Sequence, residues 1–162
     1  MPDVHESITV QARPADVYAL VADLPRMSEW SPECTGVTWT GRPRHAVPGA
    51  RFIGHNRAGV ARWHTQGRIL VAEPGRELRF RIHFGPLQVA EWKYEFRAVD
   101  AEGVDGDDAA SGCVVTESWT DYRPRLLRQV MNRLMGDRRD LNAQGIRTTL
   151  TRLKAAAEAI PA

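Results

Sequence analysis

Apolar and polar residues alternate from Asp3 to Ala12, where Val4, Glu6, Ile8 and Val10 oppose His5, Ser7, Thr9 and Gln11, the pattern of a half-buried strand. Arg13-Pro14 ends that pattern, and Pro14 suits a first helical position, where its missing N–H costs nothing. Val17, Leu20, Val21 and Leu24 then recur at helical spacing, which predicts a short amphipathic helix over 14–24 and a further helical turn from Arg26 to Trp30. From Cys34 to Tyr122 turn signals punctuate the chain at Gly36, Gly41, Pro48-Gly49, Gly59, Pro74-Gly75, Gly85-Pro86 and Gly103 to Gly112. The alternating runs between them, rich in β-branched and aromatic residues, predict strands at 35–41, 50–58, 61–73, 76–84, 88–99 and 112–122 in an antiparallel meander, the long ones curved. Residues 100–112 read as an acidic hairpin loop without the carboxylate spacing of an EF-hand. After Pro124 the period turns helical. Leu127, Val130, Met131, Leu134 and Met135 form one stripe, which Leu141, Ile146, Leu150, Leu153 and Ala157 continue, so about 30 residues of helix close the chain, kinked or broken at Gly136.

Strand, two short helices, six more strands and a long final helix make an α+β layer architecture: a curved antiparallel sheet of about seven strands wrapped around the C-terminal helix. The length of 162 residues predicts a single domain spanning 1–162. Lys plus Arg numbers 22 and Asp plus Glu 20, a formal charge of +2 that does not make nucleic acid the default partner. Cys34 and Cys113 are too few for a disulfide framework and lack the spacing of a zinc or redox motif, so both are expected as free thiols. No stretch has the ~20 apolar residues that cross a bilayer. The N-terminus has no signal-peptide pattern, and the expected compartment is the cytoplasm.

Several segments carry a family resemblance: Pro14-Ala15-Asp16-Val17-Tyr18, Asp23-Leu24-Pro25, Trp30-Ser31-Pro32, Pro48-Gly49-Ala50-Arg51-Phe52, Trp63-His64-Thr65 and Val71-Ala72-Glu73-Pro74-Gly75-Arg76. Trp92-Lys93-Tyr94, Thr116-Glu117-Ser118-Trp119 and the final stretch from Gly145 to Lys154 complete the set. In this order the chain resembles the polyketide cyclase/dehydratase-like branch of the START-like, or SRPBCC, superfamily. The resemblance implies a helix-grip fold in which the sheet grips the C-terminal helix around a deep apolar cavity. It also implies a small hydrophobic ligand there: some relatives cyclise or dehydrate aromatic polyketides, and others bind lipids, hormones or quinones without chemistry.

Alternation assigns a face to each strand, and the face with most large apolar groups is expected to look at the helix. That face carries Phe52 and Asn56, Trp63 and Thr65, Phe80 and Ile82, Trp92 and Tyr94, then Val115, Glu117 and Trp119; the helix adds Met131, Leu134 and Met135. Aromatic walls with isolated polar points suit a flat or polycyclic ligand, and equally suit an ordinary packed core. Glu117 shares the parity of Val115 and Trp119, which puts a carboxylate among apolar groups. It is expected to be protonated, hydrogen-bonded, paired or wet. It reads as a polar anchor or a general acid/base near Tyr94, against a register slip or a pairing with an arginine at the cavity mouth. Glu117 and Tyr94 are therefore the catalytic candidates.

The five histidines show no metal-ligand spacing, and His55, His64 and His83 fall on the opposite parity, so no metal is expected. Nucleophile elbows and phosphate-cradling motifs are absent, and no cofactor is implied. Between Arg123 and Lys154 the cations are Arg123, Arg125, Arg128, Arg133, Arg138, Arg139, Arg147, Arg152 and Lys154, against Asp137 and Asp140. They read as a solvated helical face, or as a surface for RNA, anionic lipid, an acidic partner or the loop 100–108. Three functions follow, in a monomer or homodimer. The first is binding of a small aromatic or polycyclic compound between sheet and helix. The second is an aromatase/cyclase or dehydratase acting in the same cavity. The third is a lipid-, quinone- or RNA-associated protein using the basic helix.

Overall fold

The computed structural model describes residues 1–99 and 112–160, apart from the side chains of residues 131, 134 and 135. Strand β1 is Val4–Val10, helix α1 Pro14–Ala22, and a 3-10 turn runs over Leu24–Glu29. The strands β2 Cys34–Thr40, β3 Arg51–Ala58, β4 Ala61–Glu73, β5 Glu77–Phe84, β6 Leu87–Val99 and β7 Gly112–Asp121 follow, then helices α2 Arg125–Met135 and α3 Arg138–Glu158. All pairings are antiparallel, in the order β1-β7-β6-β5-β4-β3-β2. This is the curved antiparallel sheet with a C-terminal helix that the hydrophobic pattern predicts, and the helix-grip arrangement that the resemblance implies. The acidic connector expected at 100–112 lies outside the described residues, except for Gly112 at the start of β7.

Local chemistry explains the boundaries. Pro14 opens α1 at its first position, and Asp23, with non-helical backbone angles, ends it. Register shifts at Cys34/Gly36, Ile69/Val71 and Ile82/His83 put extra residues into one strand of a pair, which raises local twist and bends a long sheet. At Gly136 the backbone turns to φ +85, and Asp137 then caps α3 by accepting from the Arg139 N–H at 2.9 Å. The predicted C-terminal helix is thus broken rather than kinked. That break also corrects the apolar stripe. Val130 (49% exposed) and Leu141 (41%) fall outside the core, because the two helices no longer share one axis.

Helix α3 packs on β1, β7 and α1. It buries Ile146, Leu150, Leu153 and Ala157, together with Asn142 and Thr149. Both polar members are satisfied: Thr149 donates to the Gly145 carbonyl at 3.0 Å, and Asn142 accepts from Arg138 at 3.2 Å. Val10, Cys113 and Val115 are fully buried in the neighbouring strands, and Tyr18 of α1 meets Phe96 edge-on at 5.6 Å. The helix layer therefore closes one side of the sheet.

Candidate functional site

In an antiparallel ladder, residues directly opposite one another point to the same face. The pairs Phe52↔Gly67, Asn56↔Trp63, Phe80↔Trp92, Ile82↔Ala90, Trp92↔Trp119 and Tyr94↔Glu117 carry one continuous face from β3 to β7. Gly54↔Thr65 adds Thr65 to it, and Val115 shares the parity of Glu117. The face continues onto β1 through Glu6↔Glu117, and Glu6 meets Arg147 of α3, so it is the face that looks at the helix. Every strand residue singled out from the alternation lies on it. Met131, Leu134 and Met135 belong to α2, but their side chains lie outside the described residues.

Burial divides this face. Phe52, Phe80, Tyr94, Val115, Glu117 and Trp119 are buried, whereas Asn56, Trp63, Thr65, Ile82 and Trp92 are half-buried and mark a solvent-reaching part. The deep rings touch in sequence. Trp39 stands edge-on to Phe52 at 6.0 Å, Phe52 edge-on to Phe80 at 5.6 Å, and Phe80 stacks on Tyr94 at 6.5 Å. Trp92 and Trp119 lie 6.5 Å apart beside them. Such pairs add about 0.5–1.5 kcal/mol each beyond their buried area. Gly67 makes room for this row: a Cβ there would come within 2.0 Å of the Phe52 ring.

Tyr94 and Glu117 form the polar centre. The Tyr94 hydroxyl donates to Glu117 Oε1 at 2.7 Å, with each residue 2% exposed. Glu117 Oε2 is buried and has no hydrogen-bond partner among the described residues. Burial pushes the Glu117 carboxyl up to about 8, with the Tyr94 bond opposing the shift. Burial, then the Glu117 charge and hydrogen bond, push Tyr94 well above the ordinary phenol value. Cys34 on β2 is near enough to add to that effect, and its own thiol is raised by burial. Asn56 and Thr65 form a separate polar point, with Asn56 donating to Thr65 Oγ1 and the Gly54 carbonyl at 3.4 Å.

Residues 1–158 match the family model described as polyketide cyclase / dehydrase and lipid transport. The chain belongs to that family. A polyketide-cyclase-like protein from Corynebacterium glutamicum superposes on it with a TM-score of 0.60 and 30% identity, over 96% of this chain and 90% of that one. The di-domain ARO/CYC StfQ of the steffimycin biosynthetic pathway superposes with a TM-score of 0.66 at 14% identity, over 96% of this chain and 44% of that one. A Deinococcus radiodurans protein does so with a TM-score of 0.62 at 18% identity, over 96% of both chains. At these lower identities the likeness is one of fold. No curated protein matches the chain.

Two expectations read from the residues meet their geometry here. The arginine pairing weighed for Glu117 is made instead by Asp121, which shares its face of β7 and takes both Arg123 (2.7 Å) and Arg128 (3.5 Å). Much of the basic tail is engaged within the chain: Arg138 meets Glu33 at 2.8 Å, Arg147 meets Glu6 at 2.8 Å, and Lys154 meets Glu158 at 2.8 Å. His55 and His64 lie on the outer face, as their parity predicts. Adjacent strands also bring their Nδ1 atoms to 2.8 Å, a pairing that a separation of nine positions in the chain does not reveal. No group of three or more metal-ligating side chains assembles among the described residues, and no helix among them is long and apolar enough to cross a membrane.

Sequence reasoning missed Trp39, Cys34, Gly67 and Asp121. An isolated glycine inside a strand pattern was the available signal for Gly67, and the parity of Asp121 with Glu117 and Trp119 was that for Asp121. Two surface depressions lie away from the polar centre. One, of about 310 Å³, is lined by Ala19, Asp23, Trp39 and His45; the other, of about 460 Å³, by Arg76, Glu95, Arg97 and Thr116.

Proposed function

We propose that the protein binds a small hydrophobic, aromatic or polycyclic, compound on the helix-facing side of the sheet. The observation that carries this reading is a buried tyrosine–carboxyl pair in an aromatic row, flanked on the same face by the half-buried Asn56, Trp63, Thr65, Ile82 and Trp92. Desolvation of a flat ligand against the rings supplies the affinity, and the few polar groups orient it. The family description, which names both cyclase chemistry and lipid transport, supports a ligand of this class.

Native mass spectrometry of the purified protein is expected to show a bound hydrophobic compound. Thr65→Trp, which fills the half-buried part of the face, is expected to expel it while the far-ultraviolet circular dichroism is unchanged. Retention of the compound by Thr65→Trp, with Trp63 and Trp92 fluorescence indifferent to it, would overturn the reading.

A second reading is a cyclase or dehydratase acting at the same place. Its support is the proton-holding character of the Tyr94–Glu117 pair: a carboxyl held near neutral pH is matched to general acid/base work. Here binding would fold a reactive chain and Glu117 or Tyr94 would handle a proton. Tyr94→Phe and Glu117→Gln would then abolish turnover and leave binding largely intact. Turnover that survives both changes removes this reading and leaves the first.

A further inference from the structure

The outer face of the β3–β4 pair carries a charge pattern that ligand binding on the helix side does not use. Its rungs set like groups directly opposite each other: Arg57↔Arg62, His55↔His64 and, further along, Arg51↔Arg68. Like charges so placed are destabilising. The histidine rung relieves itself, since one Nδ1 donates to the other at 2.8 Å. The arginine rungs have no such relief: all four arginines are exposed, and none of their guanidinium groups makes an ion pair or hydrogen bond among the described residues. The residues paired with this stretch on β2 and β5 are glycine, threonine, arginine and histidine, so neither neighbour supplies a carboxylate. In the C-terminal segment, by contrast, Arg123, Arg128, Arg138, Arg147 and Lys154 each hold an acid of the same chain.

A complementary run is present in the sequence. Asp100, Glu102, Asp105, Asp107 and Asp108 fall between β6 and β7, with no Lys or Arg among residues 100–111. Val99 pairs with Gly112, so the run leaves from and returns to one rung, and its reach is about 20 Å at most. The nearer arginine rung aligns with Glu91 through Arg68↔Arg81 and Arg81↔Glu91, and Val99 lies eight residues further along β6, about 27 Å away. The run therefore falls short of the arginine rungs of its own chain.

We propose that two copies of this chain associate by exchanging these groups, the acidic run 100–108 of each copy lying on the outer β3–β4 face of the other. Neighbouring rungs on one face stand about 6.8 Å apart, and acids at two-residue steps, such as Asp105 and Asp107, repeat at the same distance in an extended segment. Arginine suits this role, because its planar fork takes a carboxylate through two hydrogen bonds. A two-fold axis midway between ladder and run makes the exchange reciprocal and closes the assembly at two copies. The helix-facing side stays free, so the association is independent of ligand binding there.

Sedimentation velocity of the full chain at about 100 µM tests this. A dimer is expected at about 0.01 M ionic strength, where screening reaches ~30 Å, and a monomer at about 1 M, where it reaches ~3 Å. Arg57→Gln with Arg62→Gln, and separately Asp105→Asn with Asp107→Asn and Asp108→Asn, should each raise the dissociation constant at least about tenfold at low salt. Far-ultraviolet circular dichroism should be unchanged in both. Mixed together, the two variants should associate more tightly than either does alone, because one intact run then meets one intact ladder. A monomer at low salt overturns the proposal, and if that monomer binds a polyglutamate peptide or phosphatidylglycerol vesicles through Arg57 and Arg62, the ladder belongs to an outside polyanion. A dimer that resists salt, that survives either set of changes, or that the mixture fails to restore overturns it too.

Discussion

Two acidic side chains stand four residues apart on the same face of β7, and they have opposite fates. Asp121 sits where the strand ends, and there Arg123 grips it through both guanidinium and backbone N–H while Arg128 approaches from α2. Burial pushes its carboxyl up, but the Arg123 bonds and the two positive charges more than offset this and hold it below the ordinary value. Glu117 sits in mid-strand, opposite Tyr94 and Glu6, where no cation among the described residues pairs with it, and burial raises it to about 8. The difference lies in the neighbours: a carboxylate with an arginine clasp is a structural rivet, whereas one with a single phenol partner keeps its proton and has an oxygen to spare.

The largest expected effect is on the pH profile of stability. Glu117 has a native value raised from the ordinary 4.5 to about 8, so the native state holds its proton more tightly than the unfolded chain. Its contribution is full below the ordinary value and is lost as pH rises towards about 8, a change on the order of 5 kcal/mol at most. Glu117→Gln should remove that slope, so urea unfolding of the variant becomes progressively more resistant than that of the parent between pH 5 and 9. Parallel profiles would show that the carboxyl is not proton-holding, and the contrast with Asp121 would fail.

Asp121 should show the opposite sign, its contribution present above the ordinary carboxylate range and lost as pH falls below it. Asp121→Ala leaves the Arg123 side chain, 11% exposed, without its counter-charge. The expected cost is about 3 kcal/mol in urea unfolding, with little change between pH 7 and 9. A loss below 1 kcal/mol would mean that Asp121 is no more than a surface ion pair.

Gly67→Ala tests the aromatic floor beside Glu117. The new methyl group must displace the Phe52 ring, so a destabilisation of about 1–3 kcal/mol is expected, with altered near-ultraviolet circular dichroism from the disturbed rings. An unperturbed aromatic spectrum would separate the floor from the polar centre. The smallest effect belongs to Arg147→Ala: its side chain is 69% exposed and its pair with Glu6 is worth less than about 1 kcal/mol. Should this change instead shift the pH profile of Glu117, Glu6 would be acting on the buried carboxyl across the β1–β7 ladder.

Alternation by itself determined much of this molecule, because a period of two commits each strand residue to one of two faces and leaves few choices once Gly and Pro mark the turns. The seven strands, the interruption of the terminal helix at Gly136 and the common face of Phe52, Trp63, Phe80, Trp92, Tyr94 and Glu117 were all legible in that way, with strand boundaries within a residue or two, although whether the helix is kinked or broken there was not. Which partner each polar group would find was not legible. Glu117 and Tyr94 are 23 residues apart in the chain, Arg138 and Glu33 are 105 apart, and His55 meets His64 only through the β3–β4 register. Parity carries no information about the slide of one strand past another, and charge counting could not separate an arginine facing water from one clasping a carboxylate. Two acids of the same strand and parity became a rivet and a proton-holding group only when tertiary packing brought arginines to one and withheld them from the other.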